Sequence, residues 1–217
     1  MAHYDLEEQE QIDSLKTWWK MYGNLVSGLV LAVSLGVVAW QGWNWYQRGQ
    51  AAQASAIYSA LEQAVAARDM QRVKTVAGEL AEKFTSTPYA SLGALVAAKA
   101  SFEAGDGKTA RAQLSWVADN GKDELKDIAR LRLAALLLDE QAYDEALKQL
   151  SAGHGAAFDG RFAELRGDVL AAQGKKAEAR TAYQTALDRL EAKPKAQGGN
   201  PYREVVQQKL DSLGDAA

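Results

Sequence analysis

No cysteine occurs anywhere in the 217 residues, which excludes disulfides, thiolate nucleophiles and zinc–thiolate sites and suits an oxidising compartment. Histidine is nearly as scarce. His3 and His154 are far apart, neither sits in an H-E-x-x-H run, and no G-x-S-x-G is present, so zincin and α/β-hydrolase chemistry are excluded. A surplus of positive charge is also lacking, with 25 Lys and Arg against 28 Asp and Glu. Without a basic patch to neutralise phosphates, nucleic acid is not expected as a partner. Only three prolines interrupt a chain that holds 41 alanines, a composition that favours helix over strand. The expected fold class is all-α.

Chemistry is equally thin in what remains. The GDGKT run at Gly105–Thr109 ends like a phosphate-binding loop, but the first glycine of that motif would fall at Phe102, and no strand precedes it. It reads as a turn between helices. Carboxylates are plentiful on helical segments, yet no pair is set in apolar surroundings that would suit acid–base work. No enzyme activity, cofactor or metal site is expected.

Charge is distributed unevenly. Residues 1–20 carry five acids and two lysines, and the remainder carries 23 of each sign. Between Lys20 and Arg48 lie 27 uncharged residues. Trp19 to Trp43 in a helix covers about 36 Å, more than the ~30 Å hydrocarbon layer. Aromatic residues stand where the two interfaces would be: Trp18, Trp19 and Tyr22 at one end, Trp40, Trp43, Trp45 and Tyr46 at the other. The expected organisation is an acidic tail over 1–20, a transmembrane helix over 21–47 and a globular part over 48–217. A cleaved signal peptide fits poorly, since its leading region would be long and acidic and its end bulky. Lys16 and Lys20 before the span, against Arg48 alone until Arg68 after it, predict a cytoplasmic N-terminus. Gly28, Ala32 and Gly36 recur every four residues and would form a stripe where another backbone approaches closely. Before the span, Asp5 with Glu8 resembles a capping box, and Ile12, Leu15 and Trp19 share a face. That pattern predicts a short amphipathic helix against the membrane surface.

The globular part repeats at about 34 residues. Its clearest unit, Arg161–Pro194, places Gly167, Leu170, Gly174, Ala179, Tyr183 and Ala186 at helix-crossing and turn positions. Stepping back gives Ala134, Leu137, Gln141, Ala146 and Leu150, then Ala98, Ser101, Gly105, Ala110 and Leu114, and finally a weaker set of Leu61, Ala64, Arg68, Val73 and Ala77. These units resemble tetratricopeptide repeats (TPRs), paired antiparallel helices with small residues where backbones cross. The expectation is a TPR-like α-solenoid of about four hairpins, closed by a helix from Pro201 whose Val205, Leu210 and Leu213 cap the open end. In TPR geometry the first helix of each unit lines a concave face. That suggests Tyr58, Leu92, Leu95, Phe102, Ile128, Leu131 and Leu138 as protein-binding residues, with Lys99 and Arg161 at the edges. Such an apolar surface suits hydrophobic segments of unfolded chains or a partner's helix better than acidic chain termini.

The order of parts carries a family resemblance. An acidic tail leads to LKTWWKMYGN at Leu15–Asn24, one span, QAAQASAIYSALEQA, PYASLGALVAAKASF, LKDIARLRLAALLL and ELRGDVLAAQGKKAEAR. This series resembles the bacterial ancillary subunit of the Sec translocon over essentially the whole chain, with Met21-Tyr22 standing where that family often has Glu-Asn. The resemblance implies a single-pass inner-membrane protein with a periplasmic TPR-like domain. It also implies association with the translocon channel, a membrane-anchored periplasmic prolyl isomerase and exported unfolded polypeptides, and a link between the tail and a cytosolic stress-response regulator. The reading is a non-enzymatic adaptor or chaperone. Its rivals are a cell-division or envelope-assembly scaffold that binds folded partners only, and a docking platform whose body lies in the cytosol.

Overall fold

The computed structural model describes residues 6–191 and 201–214, and the described residues are helical with no strand. Asp5 of the expected capping box lies outside them. The chain divides into two units, residues 1–50 and 51–217.

The first unit consists of most of α1, Leu6–Ala66. No break separates an amphipathic helix from the span: the backbone is helical from Leu6 onward, which replaces the short separate helix expected there. With no proline between them, the tail and apolar residues propagate as one element straight through Gly23-Asn24. The segment is long and apolar enough to cross a membrane, with a mean hydropathy of 1.8 and almost none of it buried within the protein. Leu25, Leu29, Leu31, Leu35 and Val38 are all exposed, a surface that water would not tolerate on a solitary helix and that lipid accommodates. The segment is therefore the chain's candidate membrane span.

The second unit begins with the last turns of α1. It continues through α2 (Met70–Lys83), α3 (Pro88–Glu103), α4 (Gly107–Asn120), α5 (Asp123–Asp139), α6 (Tyr143–Leu150), a 3₁₀ turn (Ala156–Phe158), α7 (Asp159–Ala172), α8 (Lys176–Glu191) and α9 (Pro201–Ser212). Four hairpins and a closing helix result, the TPR-like arrangement expected. The repeat register is visible in the backbone. Arg68, Gly105, Gln141 and Gly174, the four turn positions, have φ of 55°, 79°, 59° and 76°. Behind each, the following amide reaches back to the same place: Asp69 N–H to Ala64 O, Asp106 to Ser101, Ala142 to Leu137, Lys175 to Leu170, at 2.8–3.0 Å. This is the Schellman closure, in which a left-handed residue lets the orphan carbonyls of one helix be satisfied as the next begins. Asp69 and Asp106 then cap α2 and α4 by accepting from the amides of Arg72 and Thr109. The GDGKT run is such a turn.

The crossing positions are buried throughout: Leu61, Ala64, Val73 and Ala77 in the first hairpin, Ala98, Ser101, Ala110 and Leu114 in the second, Ala134, Leu137, Ala146 and Leu150 in the third. In the fourth, Gly167 has no side chain because the Tyr183 ring occupies that space. Helix α3 is buried nearly all round through Ala90, Ala94, Ala97, Ala98 and Ala100. It packs against α2, α4 and α5, and alanine lets all three approach.

The closing helix differs in register from the expectation. Val206 and Leu210 are buried while Val205 is 47% exposed, so the capping residue is the second valine of the pair. The register is set by Lys209, whose Nζ donates to Glu164 Oε1 at 2.9 Å and Asp168 Oδ2 at 2.7 Å. Tyr202 donates to the other oxygen of Glu164, and Tyr183 donates to Asp168 Oδ1 at 2.7 Å.

Candidate protein-binding groove

Helices α3 and α5, the first helices of the second and third hairpins, lie side by side. Because an alanine faces the gap from each, Ala98 and Ala135, and Ala110 and Leu114 of α4 close it below, the two helices leave an open groove of about 430 Å³. Leu95 and Leu136 form buried walls, 5% and 6% exposed. Phe102 stands at the rim with half its surface in solvent. Among the described residues beyond the apolar segment of α1, only Phe102 and Val205 are large hydrophobic side chains left exposed. An exposed phenylalanine beside an apolar cleft makes this groove the candidate contact surface of the domain. Lys99, Arg132 and Asp139 border the groove, and Lys99 makes only a long ion pair, 3.7 Å, with Glu103.

Of the residues singled out from sequence, Leu95, Lys99 and Phe102 come together here. The others are elsewhere. Tyr58 is half-buried with its ring 5.7 Å from that of Tyr89. Burial, with Glu62 nearby, raises its phenol above the usual value. Leu92 is half-buried outside the groove. Ile128, Leu131 and Leu138 pack partly buried against the central core. Arg161 lies over the Tyr202 ring at 3.5 Å and pairs with Glu164 at 3.6 Å, so it belongs to the clasp that holds α9. Sequence reasoning missed Arg132, Ala135, Leu136 and Asp139. On α5 they form a stripe turned by roughly 70° from Ile128, Leu131 and Leu138 at 100° per residue. Spacing gave no signal for Arg132 and Asp139: the 36-residue step from Ala98 to Ala134 carries Leu95 and Phe102 to Leu131 and Leu138, which lie outside the groove.

Along α1, Trp18, Trp19, Trp43 and Trp45 are exposed, the last by 81%. Trp18 lies against Tyr22 and Trp43 against Tyr46, with ring centroids 5.8 and 6.2 Å apart. Gly28, Ala32 and Gly36 are exposed, and a Cβ added at either glycine would meet nothing within 4 Å. His154 is a loop residue whose ring stacks on Phe162 at 3.9 Å. Its Nε2 lies 3.3 Å from Asp159.

Comparison with known proteins agrees with the helical-repeat fold. The model of the tetratricopeptide repeat-like domain family matches residues 16–215. An ancillary SecYEG translocon subunit from Neisseria gonorrhoeae is 33% identical over 96% of this chain and 98% of its own length. Proteins of the same name from Haemophilus influenzae and Escherichia coli are 32% and 29% identical. Those alignments cover 97% and 95% of this chain and 99% and 96% of the relatives. No solved structure matches the chain.

Proposed function

Because the chain belongs to the family of ancillary SecYEG translocon subunits with a tetratricopeptide repeat-like domain, we propose that it is a non-enzymatic adaptor anchored beside the Sec channel by α1. Its groove receives polypeptide segments near the exit of that channel. The observation that carries this reading is Phe102: a half-exposed aromatic at the mouth of a cleft walled by Leu95 and Leu136. Binding there removes apolar surface from water at about 25 cal/mol per Å², a gain available to any segment that presents hydrophobic side chains. The absence of cysteine suits a periplasmic body, and the lysines before the span suit a cytoplasmic tail.

In this reading Trp18, Trp19, Trp43 and Trp45 anchor α1 at the two interfaces, and Gly28, Ala32 and Gly36 face a partner span. The membrane-anchored periplasmic prolyl isomerase, exported unfolded polypeptides and the cytosolic stress-response regulator are the further partners proposed.

Two experiments test this. Protease added to spheroplasts should degrade residues 51–217 while sparing the tail; protection of the body would place it in the cytosol and defeat the reading. Affinity purification of the tagged full-length protein from membranes should recover the SecYEG channel with and without Phe102→Asp, and exported chains only without it. Equal recovery of exported chains by both proteins would remove the groove from the account.

A further inference from the structure

Charge and backbone chemistry narrow what the groove receives; this step rests on the groove reading above. Arg132 and Asp139 are seven residues apart on α5, about 10 Å along the helix axis. Both are exposed at the groove, and neither side chain has an ion pair or hydrogen bond among the described residues. Lys99, the third charge at the groove, is paired with Glu103 at 3.7 Å, so one unpaired cation and one unpaired carboxylate mark two levels of an apolar cleft. The lining contains no asparagine, glutamine, serine or threonine. An extended peptide laid there would bring backbone N–H and C=O groups against side chains that cannot pair with most of them, at a cost comparable to lost hydrogen bonds. A helix satisfies its own backbone and presents only side chains, with apolar anchors at i, i+3, i+4 and i+7.

We infer that the groove receives an amphipathic helix of a partner protein that carries one carboxylate and one cation seven residues apart, flanking its apolar anchors. The carboxylate lies opposite Arg132 and the cation opposite Asp139. The spacing matches because both helices rise by the same amount per residue. The alanines of the floor leave room for large anchors such as Leu or Phe, and Phe102 closes over them.

The test uses the full-length protein in nanodiscs and labelled, stapled helical peptides that share one apolar face. Their charged pairs at i and i+7 are Asp with Lys, Asp with Asp, or Lys with Lys. A fourth peptide repeats the mixed pair with two prolines that break the helix. Anisotropy titrations should rank the mixed helix first by roughly fivefold, about 1 kcal/mol, with the proline-broken peptide weakest. Asp139→Lys should move first place to the Asp/Asp helix, and Arg132→Glu to the Lys/Lys helix; both sites are on the surface and leave the core untouched. The same ranking in all three proteins, or a proline-broken peptide that binds as tightly as its helix, would overturn the inference while leaving the groove in place. Binding of every peptide unchanged by Phe102→Asp would instead remove the groove reading itself.

Discussion

Gly167 of α7 and Tyr183 of α8 interlock: a Cβ added to Gly167 would sit 2.5 Å from two carbons of the Tyr183 ring. That ring is buried, and its hydroxyl is tied to Asp168, so it has no free rotamer to retreat to. Gly167→Ala should therefore destabilise the domain by about 1–3 kcal/mol, the usual cost of overpacking a core. Chemical denaturation of the detergent-solubilised protein measures this, and the penalty of Gly167→Ala should shrink in a Tyr183→Leu background. An unchanged penalty there would mean that something other than the ring opposes the methyl.

Removing Lys209 would leave Glu164, 8% exposed, and Asp168 without their ammonium partner. Lys209→Met should cost roughly 1–3 kcal/mol and raise hydrogen exchange in α9 before any other helix. Exchange rising uniformly would contradict the assignment of this clasp to α9.

The same clasp has a definite pH sign. Burial alone would depress Lys209, but its hydrogen bonds to Asp168 and Glu164 outweigh that and hold it above the ordinary lysine value. Burial, with hydrogen bonds to Asp168 and Glu164, also raises Tyr183 and Tyr202 well above the phenol range. In all three the protonated form is favoured by folding. The stabilisation is therefore complete below the unfolded values near pH 10 and is lost as pH rises through the folded ones. A melting-temperature series should fall above about pH 10, and less steeply for Tyr202→Phe; a slope identical to the parent would contradict Tyr202's part in it.

Asp106 titrates in the opposite sense. Its hydrogen bond from Lys74, with those from Thr109, holds its carboxyl well below the usual range. Its contribution is present above the unfolded carboxylate value and lost as pH falls through the depressed folded one. Asp106→Ala should lower stability at neutral pH and differ less from the parent in strong acid, as circular dichroism melts would record. A gap that does not narrow in acid would argue against the Lys74–Asp106 pair.

Gly174 at φ 76° and Gln141 at φ 59° occupy equivalent turns. Gly174→Ala should cost about 1 kcal/mol because a Cβ disfavours that region, and Gln141→Gly should raise the melting temperature. A destabilising Gln141→Gly would show that its side chain contributes more than its backbone loses.

These turns explain why most of the fold was legible in the sequence. Gly105 and Gly174 announce left-handed backbone, and small residues at fixed offsets from them, such as Ala110 and Ala179, carry the helix crossings. The equivalence then reaches Gln141 and Arg68, which have no turn signal of their own. The closing helix was less legible: adjacent valines at 205 and 206 fit either face, and the choice falls to Lys209, whose partners lie 45 and 41 residues away. Nothing local in Glu164 or Asp168 marks them as its partners. The groove was half legible for a similar reason. Leu95 and Phe102 read as an apolar face of α3, but on α5 the groove face carries Arg132 and Asp139, while the more apolar Ile128, Leu131 and Leu138 turn toward the core.

The most direct measurement places a photoreactive side chain at Phe102 and, as a control, at Val205, the other exposed large hydrophobic residue of the domain, in membranes engaged in export. Adducts with exported or partner polypeptides that form at Phe102, are absent at Val205 and disappear on Leu95→Asp are the outcome this account requires. Equal labelling at the two positions, or none at Phe102, would contradict it.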